Sequence, residues 1–218
     1  MKVALIAGAT GLVGSFLLKE LLEAEHYSKV TALVRKPMEM SHPRLEQVVF
    51  DYDNPDTSVI KANDVYCCLG TTIKKAGSKE AFRKVDYHYP LMLGQLAYEN
   101  GCNQFAVVTA IGSSGKSSFF YNRVKGEVER DLKKIPFQSL CIFKPSFLLG
   151  PRKESRLGED TAKVFMKALG FLFPKNMKAI HASQVAKAML YYLSQQTSGV
   201  HIVESGQMQD FPVKKNLT

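Results

Sequence analysis

Short apolar runs alternate with longer amphipathic stretches along most of this chain. The short runs are continuously apolar, which is typical of strands that are buried on both faces of a parallel sheet. Six of them are predicted strands: Val3–Ala7, Val30–Val34, Gln47–Phe50, Val65–Leu69, Phe105–Thr109 and Leu140–Phe143. His201–Val203 is a final strand candidate. The alternation predicts an α/β fold, a Rossmann-type doubly wound parallel sheet with helices on both faces.

Apolar residues at helical spacing predict helices between the strands. The segment Asp86–Asn100 is predicted to start with Asp86 as its capping residue and to end before Gly101. The other predicted helices are Gly11–Glu23, Tyr121–Lys134, Thr161–Phe171 and Ser183–Gln195.

The composition changes after Pro145, where proline, glycine and charged residues dominate Pro145–Gly158. No flexible linker separates this region from the rest, so we expect a single domain over residues 1–218. Within it, residues 145–205 are expected to contribute a small C-terminal lobe that covers the substrate. The last residues, Asp210–Thr218, are predicted to form a loose tail.

The formal net charge is +9, from 29 Lys and Arg against 20 Asp and Glu. Most of the excess is scattered lysine, which is typical of a solvated surface. Only Lys74–Lys84 forms a local basic cluster, so we expect no nucleic acid partner. The apolar runs are too short for a membrane span or a signal peptide, which favours a cytoplasmic protein without a membrane partner. The four cysteines and five histidines show no ligand spacing, and no metal site is expected.

The glycine-rich stretch Gly8–Gly14 has the pattern G-x-x-G-x-x-G and lies between the first predicted strand and the first predicted helix. Small residues there let the backbone approach a pyrophosphate, and the helix N-terminus offers N–H groups and a partial positive charge. The sequence therefore predicts a dinucleotide site, the alternative being a glycine-rich turn without a ligand. The residues assigned to it are Gly8, Thr10, Gly11, Leu12, Val13 and Gly14.

The end of the second predicted strand favours NADP(H) over NAD. An NAD site usually has an acidic residue there, about twenty residues beyond the glycines, which bonds the ribose 2′-hydroxyl. Arg35 and Lys36 occupy this place instead. An arginine pairs well with a 2′-phosphate and leaves the ribose of NAD without its acceptor. The alternative is that Arg35 is only a solvated residue at the end of the strand.

Tyr121 and Lys125 form a Y-x-x-x-K pair in the helix predicted after the fifth strand. Residues at i and i+4 share one helix face, so the ammonium lies beside the phenol. A nearby cation favours the phenolate, and this makes the tyrosine a usable proton donor for a carbonyl that is being reduced. Such pairs also occur by chance, and the position of this one after the fifth strand is therefore the stronger argument.

The two motifs together resemble the short-chain dehydrogenase/reductase superfamily. Further stretches are similar to an atypical branch of it, the Tat-interacting-protein-type oxidoreductase-like proteins and their bacterial relatives. These stretches are Cys68–Thr72, Lys75–Gly77, Phe82–Asp86, Ser117–Glu129 and Arg152–Glu159. The resemblance extends from the first strand to about residue 190.

This resemblance implies a role for each residue of the motif. Tyr121 is the implied general acid/base, and Lys125 binds the nicotinamide ribose and activates the tyrosine. A hydroxyl at the end of the fifth strand polarises the substrate carbonyl, and Thr109 stands there. Because the family usually has serine at this place, Ser113 and Ser114 remain alternatives.

The resemblance also implies cofactor contacts beyond the glycine stretch. Asp51 resembles the residue that meets the adenine, and Pro145 belongs to a segment that packs against the nicotinamide. From the residues alone, Asp51 is equally an exposed strand end and Pro145 a simple strand breaker. The full implied set is Asp51, Leu69, Gly70, Thr71, Lys125, Pro145 and Phe147.

The expected protein is an NADP(H)-dependent oxidoreductase with one NAD(P)-binding Rossmann domain. It would transfer hydride to or from a small-molecule carbonyl or alcohol that the sequence does not identify. The alternative is a dinucleotide-binding regulatory protein that senses NADPH and binds a protein partner, and a third interpretation is an isomerase or epimerase that retains its cofactor. The sequence favours chemistry because the Y-x-x-x-K pair is intact.

Overall fold

The computed structural model describes residues 1–151 and 174–213. Within these ranges the strands are β1 Lys2–Ala7, β2 Tyr27–Val34, β3 Leu45–Val49, β4 Asp64–Cys67, β5 Gln104–Val108, β6 Ser139–Lys144, β7 Leu148–Leu149, β8 Ile180–His181 and β9 Gly199–Glu204. The α-helices are α1 Leu12–Glu23, α2 Ile73–Ala76, α3 Lys79–Arg83, α4 Tyr89–Glu99, α5 Phe120–Leu132, α6 Ala182–Ser194 and α7 Ser205–Met208. A π-helical turn, Lys84–His88, joins α3 to α4.

Seven of these strands form one parallel sheet in the order β3-β2-β1-β4-β5-β6-β9. The other two, β7 and β8, form a short parallel pair. All seven strands expected from the sequence are present, and the prediction of a Rossmann-type parallel sheet is confirmed. The order of strands reverses between β1 and β4, which is where doubly wound sheets bind ligands at the carboxyl ends of their strands.

Helices are held on both faces of the sheet by two apolar layers. Ile6 of β1 faces the layer that contains Phe16 of α1 and Val185 of α6. Its neighbour Leu5 faces the opposite layer, which contains Leu93 of α4. Successive side chains of a strand point to opposite faces, so a continuously apolar strand serves both layers. Each buried aliphatic side chain stabilises the fold by about 1.5–3 kcal/mol relative to an exposed one. Because many such side chains hold each strand between the two layers, the ends of the strands have defined positions.

The end of the chain completes the sheet. β9 pairs with β6 from Gly199 beside Ser139 to Glu204 beside Lys144, and α6 crosses from β8 to it. The predicted helix Thr161–Phe171 lies outside the described residues, as do residues 214–218 of the predicted tail. In the two described ranges, no helix combines the length and the hydrophobicity that crossing a bilayer requires.

The predicted cap at Asp86 is wrong. The helical segment starts earlier, at α3, where the Ser78 side chain accepts the N–H of Ala81. Asp86 lies inside the π-helical turn that carries α3 into α4, and it is fully buried. At that point the chain is already helical, so no helix start is present for the carboxylate to cap. A buried charge instead requires a partner from another element.

The loop between β5 and α5 is clamped to the first turns of α5. The side chain of Asn122 donates from Nδ2 to the backbone carbonyl of Gly112 at 3.1 Å. The backbone carbonyl of Asn122 accepts the N–H of Ser114 at 3.0 Å. The helix presents Gly126 to this loop, and a Cβ atom there would overlap the backbone of Ser114 and Gly115. The glycine of the K-G-E-V-E stretch is therefore a packing requirement that fixes the loop after β5.

Replacing Gly126 by alanine tests this packing. In an exposed helix interior, glycine to alanine would raise the free energy of unfolding by about 1 kcal/mol. Here the overlap with backbone reverses the sign, and we expect Gly126→Ala to lower it by about 1–3 kcal/mol in urea unfolding. Gly115→Ala is the matched control, because its Cβ would meet no atom closer than 3.9 Å. A Gly126→Ala protein as stable as the control would contradict the close packing.

Candidate functional site

The predicted cofactor residues are gathered at one edge of the sheet. All strands of a parallel sheet end at the same edge, so the segments that follow them lie side by side. The segments concerned are Gly8–Gly14 after β1, Arg35–Lys36 after β2, Asp51 after β3, Leu69–Thr71 after β4, Thr109 after β5 and Pro145–Phe147 after β6. The two motifs of the sequence thus lie on the same side of the molecule.

The glycine turn combines close packing with an open helix start. Gly8 has φ +83°, and a Cβ atom there would lie 2.6 Å from the carbonyl oxygen of Cys68 in the segment after β4. A Cβ on Gly14 would overlap the Gly8 carbonyl. Gly11 differs from both: it is exposed and precedes α1 with extended backbone, and no side chain caps the helix. The first N–H groups of α1 lack intrahelical partners, and this arrangement fits a pyrophosphate.

The other predicted residues of this turn contribute in different ways. Val13 is buried in the core beneath α1, so only its backbone N–H is available to a ligand. Thr10 is exposed, and the half-buried Leu12 lies close to Gly150. The turn therefore offers mainly backbone N–H groups, which suit the pyrophosphate of a dinucleotide rather than its adenine.

Arg35 and Lys36 are exposed directly after β2. In the ranges 1–151 and 174–213 neither forms an ion pair. The nearby Tyr52 hydroxyl is buried without a hydrogen-bond partner in these ranges. Burial raises the pKa of Tyr52, and the charge of Arg35 partly offsets this effect. The Asp51 side chain accepts the N–H of Asp53 at 2.9 Å, in an exposed turn. The end of β2 is thus positively charged and solvent-accessible.

Lys125 is buried against Asp86. Its Nζ lies 2.8 Å from Oδ1 of Asp86, with the side chains 5% and 0% exposed. The second oxygen of the carboxylate, Oδ2, accepts the N–H of Thr71 at 2.9 Å. The pair lies under Gly70, whose Cβ position would be 3.5 Å from Oδ1 and 3.6 Å from Nζ. A lysine of α5 thereby reaches the segment after β4.

The electrostatics keep this lysine charged. Burial lowers the pKa of Lys125, but the Asp86 carboxylate, with the neighbouring Tyr121, more than reverses this effect, so the pKa is raised. Tyr121 lies one turn earlier on α5 and is half-buried, with its ring 5.5 Å from that of Phe82 in α3. The phenol and the ammonium therefore belong to one face of α5, as the spacing predicted.

Three hydroxyls follow β5, and they differ in their partners. The Thr109 hydroxyl donates to the Phe143 carbonyl of β6 at 3.3 Å, and Ser113 donates to the Ala110 carbonyl at 2.6 Å. Both residues are buried. Ser114 is exposed and accepts the N–H of Lys116 at 3.3 Å. A hydroxyl polarises a carbonyl by donating its single proton. Thr109 and Ser113 would have to turn away from their backbone acceptors to do so, whereas the Ser114 oxygen is engaged as an acceptor.

A second ion pair, largely buried and absent from the sequence interpretation, supports this loop. Lys144 at the end of β6 lies 3.4 Å from Oε2 of Glu129 and donates to the Ser113 carbonyl at 3.2 Å. Glu129 is four residues after Lys125 on α5, so both ion pairs use the same face of that helix. Glu129 is part of the K-G-E-V-E stretch noted in the sequence. Its partner Lys144 belongs to a different element, so local spacing could not reveal the pair.

The segment after β6 is joined to its neighbours through the backbone. The Pro145 carbonyl accepts the N–H of Ile111, and the Phe147 carbonyl accepts that of Ile180, both at 2.9 Å. Pro145 is buried and Phe147 is half-buried. The stretch Arg152–Glu159, which contributes to the family resemblance, lies outside the described residues.

The basic segment Lys74–Lys84 lies beside the site, in α2, α3 and the start of the π-helical turn. Part of its charge is neutralised locally. Lys84 is 2.8 Å from Asp53, and Arg83 is paired with Glu127 of α5. These exposed or half-exposed pairs reduce the positive field that the sequence alone indicates.

Comparisons with known proteins agree with this geometry. A family model described as NAD(P)H-binding matches residues 8–137. Protein HTATIP2 of Rattus norvegicus is 37% identical over 204 residues, which cover 91% of this chain and 84% of that protein. Protein FMP52, mitochondrial, of Eremothecium gossypii is 36% identical over 222 residues, which cover 98% of each. The solved structure of MoeE5 in complex with UDP-glucose and NAD has a TM-score of 0.70 at 16% identity, covering 91% of this chain and 74% of that one. The last comparison shows a shared fold only.

The expected cytoplasmic location is wrong by this comparison, because the fungal relatives carry the name mitochondrial. Location depends on segments that the import machinery recognises, and the fold does not report on them.

The glycine turn at the start of α1, the edge at which it lies and the relatives at 36% and 37% identity all agree. The chain belongs to the NAD(P)H-binding family, in the atypical short-chain dehydrogenase/reductase branch that it shares with Protein HTATIP2 and the FMP52 proteins.

Proposed function

We propose that this protein is an NADP(H)-dependent oxidoreductase in which Tyr121 is the general acid/base toward a small carbonyl or alcohol substrate. The observation that carries the proposal is the buried ion pair between Lys125 and Asp86. It keeps an ammonium charged one helical turn from the Tyr121 phenol, at the edge where the glycine turn lies. The lysine shares one face of α5 with Tyr121 at the edge where sheets of this type bind their ligands, and this combination supports a catalytic role.

The chemistry divides between the cofactor and the chain. A bound reduced nicotinamide supplies a hydride to the carbonyl carbon. Tyr121 donates its phenolic proton to the carbonyl oxygen, and it takes the proton back when an alcohol is oxidised. Lys125 stabilises the resulting phenolate. One of the hydroxyls after β5, from Thr109, Ser113 or Ser114, bonds the carbonyl oxygen and orients it toward Tyr121.

The choice of NADP(H) rests on the end of β2. Arg35 and Lys36 are exposed there and have no carboxylate partner in the described ranges, so their charge is available to a 2′-phosphate. Asp51 lies after the adjacent strand β3 and is the proposed contact of the adenine. Solved structures of the same fold, such as MoeE5 in complex with UDP-glucose and NAD, contain NAD. The proposed preference for NADP(H) therefore rests on the side chains after β2 and not on the fold.

Charge reversal at Arg35 tests this choice. We expect wild-type protein to bind NADPH at least about tenfold more tightly than NADH in calorimetry, through charge-assisted bonds to the 2′-phosphate. Arg35→Asp should abolish this preference, because the carboxylate repels the phosphate and accepts from the ribose hydroxyl. Lys133→Asp is the control, an equal change of charge at the exposed far end of α5. Equal wild-type affinities for the two cofactors would refute the assignment.

Removing the phenol of Tyr121 separates catalysis from cofactor sensing. We expect Tyr121→Phe to keep NADPH affinity and stability, because the ring against Phe82 is retained. Turnover on a substrate found by screening aldehydes, ketones and quinones should fall by about two to four orders of magnitude. Tyr98→Phe, at a 43% exposed position of α4, is the matched control. Full activity of Tyr121→Phe would mean that the tyrosine is structural, and a protein that only senses NADPH would turn over no carbonyl at all.

A further inference from the structure

Asp86 occupies an unusual place in the backbone. It lies in the π-helical turn Lys84–His88, which joins two α-helical segments without a break. A π-helical turn is less stable than an α-helix and persists where a particular side-chain position is needed. In this turn Asp86 is 0% exposed although the helix flanks the sheet edge. The turn therefore aims one carboxylate into the molecule.

This single carboxylate links three elements. Through Oδ1 it reaches Lys125 of α5 at 2.8 Å, and through Oδ2 it accepts the N–H of Thr71 after β4 at 2.9 Å. The contact between Oδ1 and Nζ is a buried ion pair, with the two side chains 0% and 5% exposed. An ammonium carries three N–H donors, so its contact with Oδ1 leaves donors for a ligand hydroxyl at the edge beside Gly70.

We propose that Asp86 is a positioning residue that fixes the Lys125 ammonium beneath Gly70, where the ammonium contacts the ribose of the nicotinamide. The inference rests on the proposed function, since it assigns Lys125 to the cofactor. Asp86 itself touches no reacting atom and acts through Lys125. The competing explanation is that Asp86 only braces the backbone of Thr71.

The two explanations differ in their dependence on pH. In the described ranges, the titratable groups that face Lys125 are Asp86 of the π-helical turn, Tyr121 of its own helix and Cys67 of β4. Burial raises the pKa of Cys67 to about 11, so this thiol is neutral at pH 7. Asp86 is therefore the carboxylate that compensates the burial of Lys125.

The sign of the effect follows from the raised pKa of Lys125. In the wild type, the pair contributes stability below the ordinary lysine pKa of 10.5 and loses it as pH rises through the raised value. Without the carboxylate, burial alone would lower the pKa of Lys125. The stability deficit of such a variant then grows as pH falls from alkaline to neutral. A brace for the backbone would give a deficit that does not change with pH.

The experiment uses Asp86→Asn, which keeps an oxygen for the N–H of Thr71 and removes only the charge. We expect its NADPH affinity in calorimetry at pH 7 to fall about tenfold or more, and its urea midpoint to fall further below wild type at pH 7 than at pH 10. Asp86→Glu restores the charge and should recover the wild-type pH dependence. Asp64→Asn is the control, a 1% exposed aspartate paired with Lys2 at the opposite edge, and it should lower stability without changing NADPH affinity.

Lys125→Met and the double variant Asp86→Asn/Lys125→Met complete a double-mutant cycle. These two variants test whether Asp86 acts through Lys125 even if Asp86→Asn does not fold. Because Asp86 acts through Lys125, the double variant should bind NADPH as Lys125→Met does, and a clearly weaker double variant would overturn the proposal. Wild-type affinity and pH dependence in Asp86→Asn would overturn it as well. If Lys125→Met itself bound NADPH normally, the proposed function would fail at its cofactor contact, an outcome distinct from a failure confined to Asp86.

Discussion

The ammonium of Lys125 and the carboxylate of Asp86 are both removed from water, and neither could be buried alone. Each ion loses several kcal/mol of hydration on burial, and only a close partner of opposite charge compensates the loss. The pair therefore holds α5 against the π-helical turn and, through Thr71, holds both against the end of β4. Removing one partner would leave the other charge buried without compensation, which strongly lowers the free energy of unfolding. The geometry of this edge therefore depends on both charges remaining in place.

A second pair of the same kind lies one turn further along α5. Glu129 and Lys144 join that helix to the end of β6, and Lys144 also holds the Ser113 carbonyl of the loop after β5. Gly126, between the two ion-pairing residues of α5, lets the loop backbone lie directly against the helix. Helix α5 is thus fixed to β4 on one side and to β6 on the other, which gives Tyr121 a defined place between them.

The glycine turn meets a different constraint. Gly8 and Gly14 are required because backbone approaches backbone there, and the exposed Gly11 leaves the start of α1 without a side-chain cap. The family to which the chain belongs is NAD(P)H-binding, whereas the choice between the two dinucleotides and the chemistry of a member reside in its side chains. In this chain the side chains proposed for these roles are Arg35 at one end of the edge and Tyr121 with Lys125 toward the other.

The sequence by itself determined the strands, because their apolar runs are long enough to be recognised without their neighbours, and it placed the glycine turn and the Tyr121–Lys125 pair through local spacing. It assigned Asp86 to a helix cap, since an aspartate before an apolar helical stretch has the same local pattern in either role. Only the tertiary structure decided that this carboxylate faces Lys125, that Gly126 receives the loop after β5 and that Lys144 supports Ser113. These contacts join residues that are far apart in the chain, and a buried charge selects its partner by proximity in space, which local sequence patterns do not encode.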